Sequence, residues 1–205
     1  MSREREKVYI DAMGSELGNV FAVLDQKLVE LQVIWQQYRQ LFGENEETVH
    51  LVNRAAGLFF HVIQDQLWDS VLLGISKMTD PTITGRRKNL TLNSIPPLIF
   101  EESFRAEVKR LCVVARSESE FARDHRNKRI AHEDHNHATN QEAHALAGVS
   151  RQAVEGMLAS LRAVLNAVNQ RYLGNTVMYE DFIDSSGARV LVHRLWKLEQ
   201  LDAKG

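Results

Sequence analysis

All three prolines of this chain, Pro81, Pro96 and Pro97, fall in one short window, and the rest of the sequence is nearly free of helix breakers. Proline lacks a backbone donor and clashes with the preceding helical turn, so long helices end where it stands and run on where it is absent. Outside the window apolar residues recur at spacings of three and four, and alternating strand-like runs are scarce. The expected fold class is therefore all-α: an antiparallel helical bundle of long helices with a short C-terminal helical appendage. The bundle is assigned to 1–174 and the appendage to 175–205.

Leu17, Phe21, Leu24, Leu28, Leu31, Trp35, Tyr38 and Phe42 form one stripe and predict a helix from about Ser15 to Phe42, stopped by Gly43. Asn45 is a good cap with acidic residues behind it, and a second helix is expected to run from there to about Met78. The middle of this helix (Leu58, Phe59, Phe60, Val62, Ile63, Leu67, Trp68, Val71, Leu72, Leu73, Ile75) is apolar nearly all round, which predicts a place at the centre of the bundle. Asp80-Pro81 ends it. Asp80 to Ile99 reads as the one long loop, holding a basic turn, Gly85-Arg86-Arg87-Lys88, and a short helix that starts near Asn93. A third helical stretch is expected over about Glu101 to Ala131, bent near Ser117-Glu118-Ser119. A fourth spans about Asn140 to Tyr172 and is closed by Gly174. Leu191, Leu195 and Leu198 mark a short final helix.

The formal net charge is -2, so binding to nucleic acid would need a local basic patch rather than a global field. A single cysteine, Cys112, excludes an internal disulfide, and its neighbours Leu111, Val113 and Val114 predict a buried core thiol rather than a nucleophile. Met1 to Lys7 is charged with no apolar run behind it, so no signal peptide is expected. No stretch approaches the roughly 20 consecutive apolar residues a membrane helix requires. A cytoplasmic location without membrane association is the expectation. Glycine-rich phosphate loops, paired-cysteine metal sites and G-x-S-x-G elbows are absent from the sequence.

Chemistry concentrates in Phe121-Ala122-Arg123-Asp124-His125-Arg126-Asn127-Lys128-Arg129-Ile130-Ala131-His132-Glu133-Asp134-His135, which holds four basic residues and three histidines. Arg126-Asn127, a four-residue spacer and His132 resemble the signature of the HEPN superfamily, placed near the end of the third long helix. The neighbourhood resembles its AbiU-like abortive-infection branch. The matching segments are Trp35-Gln36-Gln37-Tyr38-Arg39-Gln40-Leu41-Phe42-Gly43, Leu67-Trp68-Asp69-Ser70-Val71-Leu72-Leu73, Lys77-Met78-Thr79-Asp80-Pro81 and Lys88-Asn89-Leu90-Thr91-Leu92.

The resemblance implies a metal-independent endoribonuclease of the abortive-infection or toxin type, with no cofactor, cleaving RNA in a composite cleft between two copies of the chain. The alternative is a non-catalytic helical module that binds RNA, a nucleotide or a protein partner through the same basic cleft. The residue types suit the chemistry. RNA brings its own nucleophile, the 2′-hydroxyl, and a histidine exchanges protons near neutral pH. Arginine stays charged, and its planar fork fits phosphate oxygens. His132 is thus assigned as general acid or base, Arg126 as phosphate clamp and Asn127 as positioning residue. Arg123, Lys128 and Arg129, with Arg86, Arg87 and Lys88 of the loop, are the candidate substrate-binding residues. Arg129, three residues before His132, is the rival clamp. On an ideal helix, residues six apart point about 120° away from each other and sit about 9 Å apart along the axis, so Arg126 and His132 do not share a face. A homodimer in which two motifs face each other is the family's resolution.

Plainer readings stand beside these. His132 suits a capping role at a helix C-terminus, the basic stretch is balanced by Glu118, Glu120 and Asp124, and Arg86 to Lys88 fit an ordinary polar loop. His132, Glu133, His135 and His137 offer metal-ligand chemistry, though their spacing fits no established site, and no metal is assigned. In one HEPN branch a tyrosine two residues after the histidine is modified by a nucleotidyltransferase partner. Asp134 occupies that position here, so an antitoxin or protein partner, if present, is expected to silence the protein in another way.

Overall fold

The spacing of three and four resolves into seven α-helices among the described residues. The structure is a computed structural model, described over residues 3–127, 150–181 and 184–202. The helices are α1 (Arg3–Met13), α2 (Ser15–Phe42), α3 (Glu46–Thr79), α4 (Glu102–Glu118), α5 (Glu120–His125), α6 (Arg151–Leu173) and α7 (Ala188–Asp202). Between α3 and α4 lie a two-stranded antiparallel ribbon, β1 (Ile83–Thr84) and β2 (Arg87–Lys88), and two short 3-10 turns, Leu92–Ser94 and Pro96–Leu98. The fold is an all-α bundle with a C-terminal helix. No helix of the described residues is long and apolar enough to cross a membrane.

Boundaries follow local chemistry. The Asn45 side chain accepts a hydrogen bond from the Thr48 amide (2.7 Å) and starts α3. Pro81 disfavours helical backbone at Asp80, and α3 stops at Thr79. The third helical stretch breaks at Ser119, whose hydroxyl donates back to the Ala115 carbonyl (2.7 Å), a contact that bends helices. Ser150 caps α6 through the Ala153 amide, and Gly174 closes it in the left-handed conformation (φ 67°).

The chain divides into two compact units. One comprises the chain up to Leu31 together with Leu72 to Tyr179. In it α4 packs along α6, and Phe21, Leu24, Leu28, Ile75, Leu158 and Leu161 are sealed from solvent. Gly14 (φ 82°) turns α1 back on α2, and Gly18 lets the two backbones touch: a Cβ at Gly18 would lie 2.6 Å from the Ile10 Cα. A buried carboxylate ties three segments together. Asp25 on α2 accepts from the Tyr179 hydroxyl (2.7 Å), which in turn receives a hydrogen bond from Asn169 on α6 (3.4 Å). Arg5 of α1 reaches the second Asp25 oxygen (3.0 Å) and also donates to the Tyr9 hydroxyl (3.0 Å). Burial pushes the Tyr179 hydroxyl well above the ordinary tyrosine range, and the Asp25 charge adds to the effect. Cys112 is a buried core residue, and burial pushes its thiol up to about 12.

The other unit comprises Gln32 to Val71 and the chain from Glu180 onward. Its centre is aromatic: Trp35 stacks on Tyr38 (5.2 Å between centroids), and Trp68 lies against both. Two glutamines of α2 cap the first turn of α7. Gln37 accepts from the Ala188 amide (2.6 Å) and Gln40 from the Arg189 amide (3.0 Å). They satisfy donors that have no partner inside the helix. Further along, Glu199 receives two hydrogen bonds from Arg54 of α3 (2.7 and 2.9 Å).

One expectation holds for only part of α3: Val71, Leu72 and Ile75 are sealed from solvent, whereas Leu58 is 81% exposed, Phe59 58% and Val62 50%, with Phe60 alone turned inward among them. The helical path is also interrupted at Ala56 (φ −164°, ψ 70°), beside the weak helix former Gly57, so the pattern belongs to two segments with different facings. An all-round apolar sequence records the need for cover, and among the described residues the cover is missing.

The close approach at Gly18 yields a paired prediction. Gly18→Ala forces α1 off α2 and lowers stability by about 1–3 kcal/mol. Gly156→Ala, inside α6 with open space where the Cβ would go, raises it by about 0.5–1 kcal/mol. Urea denaturation of both variants checks this, and a neutral Gly18→Ala contradicts the packing.

Candidate functional site

The end of α3 brings the arginine-rich segment and the polar loop to one place. Arg126 lies just past α5, where the helix widens into a π-type turn through Arg126 and Asn127. Its Nη1 donates to Asp80 Oδ2, and its Nε donates to Asn127 Oδ1 (3.1 Å). Both members of the Arg126–Asp80 pair are largely shielded, at 23% and 18% exposed. One turn earlier, Arg123 Nη1 donates to the Thr79 hydroxyl (3.3 Å) and Nη2 to the Arg116 carbonyl (2.6 Å). Thr79 donates back to the Ile75 carbonyl (3.1 Å). Two arginines are thus fastened to consecutive residues at the C-terminal end of α3, where cations are favoured.

The charge around Arg123 is crowded. Burial lowers the pKa of its guanidinium, and repulsion from Arg116 and Arg126 acts the same way against the opposing pull of Asp80 and Glu120. Counting these five side chains, three cations face two anions, leaving one net positive charge in a protein whose overall charge is negative. Arg116 was not among the residues singled out from the sequence. Seven residues turn about 700°, about 20° short of two full turns, so Arg116 and Arg123 fall on one face, and that spacing was open to reading. Asp80 and Thr79 belong to the Lys77–Pro81 segment, which carried the family resemblance without a role.

Pro81 leads directly into the ribbon β1–β2. Gly85 at its tip takes a left-handed conformation (φ 59°), and Arg86, Arg87 and Lys88 are all exposed. Asn89 fastens the base, donating to the Pro81 carbonyl (2.9 Å) and the Thr84 hydroxyl (2.7 Å). The basic turn is therefore a built ribbon rooted beside Asp80.

Of the residues proposed from the sequence, the structure places Arg123, Arg126 and Asn127 together and Arg86, Arg87 and Lys88 on the ribbon. Lys128, Arg129 and His132 lie outside the described residues, as do Glu133, Asp134, His135 and His137. Among the described residues no group of His, Cys, Asp or Glu is arranged to hold a metal ion. His125 is buried beside the Phe121 ring (6.0 Å), so it belongs to the packing of α5.

The family model described as AbiU2, a HEPN domain, matches residues 14–191. This chain belongs to the AbiU2 family of HEPN domains. Neither a curated protein nor a solved structure matches it. The AbiU2 match reaches into both compact units and includes every residue of the site just described.

The two groups of basic residues should behave differently. Arg123→Ala removes hydrogen bonds to Thr79 and Arg116 and costs about 1–2 kcal/mol of stability. Replacing Arg86, Arg87 and Lys88 together with glutamine changes stability by no more than about 0.5 kcal/mol. Equal losses in urea denaturation would contradict the distinction.

Proposed function

We propose that this protein is a metal-independent endoribonuclease of the abortive-infection or toxin type, acting in the cytoplasm as a homodimer. The observation that carries the reading is the grouping of Arg116, Arg123, Arg126 and Asn127 beside the exposed basic ribbon, in a HEPN chain that is otherwise slightly acidic.

In this reading the RNA 2′-hydroxyl attacks the adjacent phosphorus, and the bond to the 5′-oxygen breaks. His132 takes or supplies a proton in that exchange. The Arg126 guanidinium stabilises the charge that grows on the non-bridging oxygens. Asn127 orients the clamp from its contact at Nε. The products are a 2′,3′-cyclic phosphate and a 5′-hydroxyl. Arg123, Lys128, Arg129 and the ribbon's Arg86, Arg87 and Lys88 attract the RNA backbone. A second copy supplies the remaining groups, and the apolar side chains of Leu58, Phe59 and Val62, exposed among the described residues, support self-association.

One observation favours the alternative, a non-catalytic module that binds RNA, a nucleotide or a protein partner such as an antitoxin. Arg126 already holds a carboxylate. Retained RNA binding without turnover would select that reading.

The test is cleavage of total cellular RNA by purified protein in excess chelator. Wild type is expected to cleave and to leave cyclic phosphate ends, and His132→Ala to lose about 10²–10⁴-fold in rate. Equal cleavage by His132→Ala would contradict the proposal.

A further inference from the structure

The clamp proposed for RNA phosphate is not a free side chain. Arg126 and Asp80 are 46 residues apart, yet their charged groups meet in a largely shielded pair. The carboxylate is itself well placed. It follows the last helical residue of α3 and precedes a proline, which narrows its backbone freedom. Its neighbours are fastened on both sides: the Thr79 hydroxyl holds Ile75 and receives Arg123, and the Pro81 carbonyl receives Asn89.

An arginine side chain loses rotamer entropy when it is fixed, and its guanidinium offers five donors in one plane. Fixing Nη1 on Asp80 and Nε on Asn127 sets that plane before any substrate arrives. Preorganisation of this kind matters most for a group that must meet developing charge, since reorientation during the reaction is avoided. A purely structural staple would have no need of Asn127 on the guanidinium, and Arg123 already joins α5 to the end of α3.

We infer that Asp80 is a positioning residue, whose carboxylate orients the Arg126 guanidinium toward the scissile phosphodiester. This rests on the ribonuclease reading above and adds a residue that reading did not contain. Asp80 touches no substrate and acts through Arg126.

The experiment uses the full chain with Asp80→Asn and Asp80→Glu. Four quantities are compared with wild type: kcat and KM for a fluorescent RNA, affinity for a 2′-deoxy analogue, and melting temperature. Asparagine keeps the shape but loses the charge that holds Nη1. The expected result is a fall in kcat of about 10²-fold, the scale set by a misplaced catalytic group, with KM and analogue affinity within about threefold. Asp80→Glu restores the charge one methylene farther out and is expected to fall between the two. Wild-type or faster turnover in Asp80→Asn overturns the inference, since Asp80 would then be a bystander or a competitor for phosphate. It is equally overturned if KM rises with kcat unchanged, or if Asp80→Glu recovers the melting temperature but no turnover. Should Asp80→Asn fail to fold, Asp80→Glu decides alone, and an unchanged kcat overturns the inference. A wild-type protein with no turnover sinks the ribonuclease reading and this inference together, whereas active wild type with indifferent Asp80 variants sinks only this one.

Discussion

The candidate site depends on how α3 ends. Pro81 stops the helix, and the two residues before it become anchors: Asp80 takes Arg126 and Thr79 takes Arg123. The same proline opens the loop that carries the basic ribbon, and its carbonyl is held by Asn89. One helix terminus thus fixes three positive elements, Arg126, the Arg123–Arg116 pair and the ribbon. Without a carboxylate at that point, like charges on α4 and α5 would face one another with less to offset them.

The segments that mark the family prove to be structural parts. Trp35 and Tyr38 build the aromatic centre of one unit with Trp68, while Gln37 and Gln40 from the same run cap α7. Lys77 to Pro81 supplies the anchors for the arginines. Lys88 to Leu92 contributes Asn89, which closes the ribbon, and Leu92, which is buried. A motif of this kind can therefore preserve the scaffold that aims a site as firmly as the site itself.

Much of this was legible in the sequence, because local chemistry decides it. The stripe from Leu17 to Phe42 gave the right helix, Asn45 and Gly174 marked real caps, and the serines near 119 marked a real break. What was not legible depends on distant partners. Leu58, Phe59 and Val62 of α3 looked like part of a bundle centre, since a sequence shows the demand for burial but not whether it is met, whereas Val71, Leu72 and Ile75 of the same stretch are buried. Arg126 looked like a free clamp, because its carboxylate lies 46 residues upstream. The fold class followed from proline placement and periodicity, whereas the Asp80–Arg126 pair needed coordinates.

In the proposed reaction a guanidinium and an imidazole act on a phosphodiester attacked by RNA's own 2′-hydroxyl. The most direct measurement is cleavage of an oligonucleotide whose mapped cleavage site carries a single 2′-deoxy nucleotide on the 5′ side of the scissile phosphate. The account predicts that cutting at that position disappears while neighbouring ribose sites are still cut. Undiminished cutting at the deoxy position would show that the nucleophile comes from elsewhere and would contradict the account.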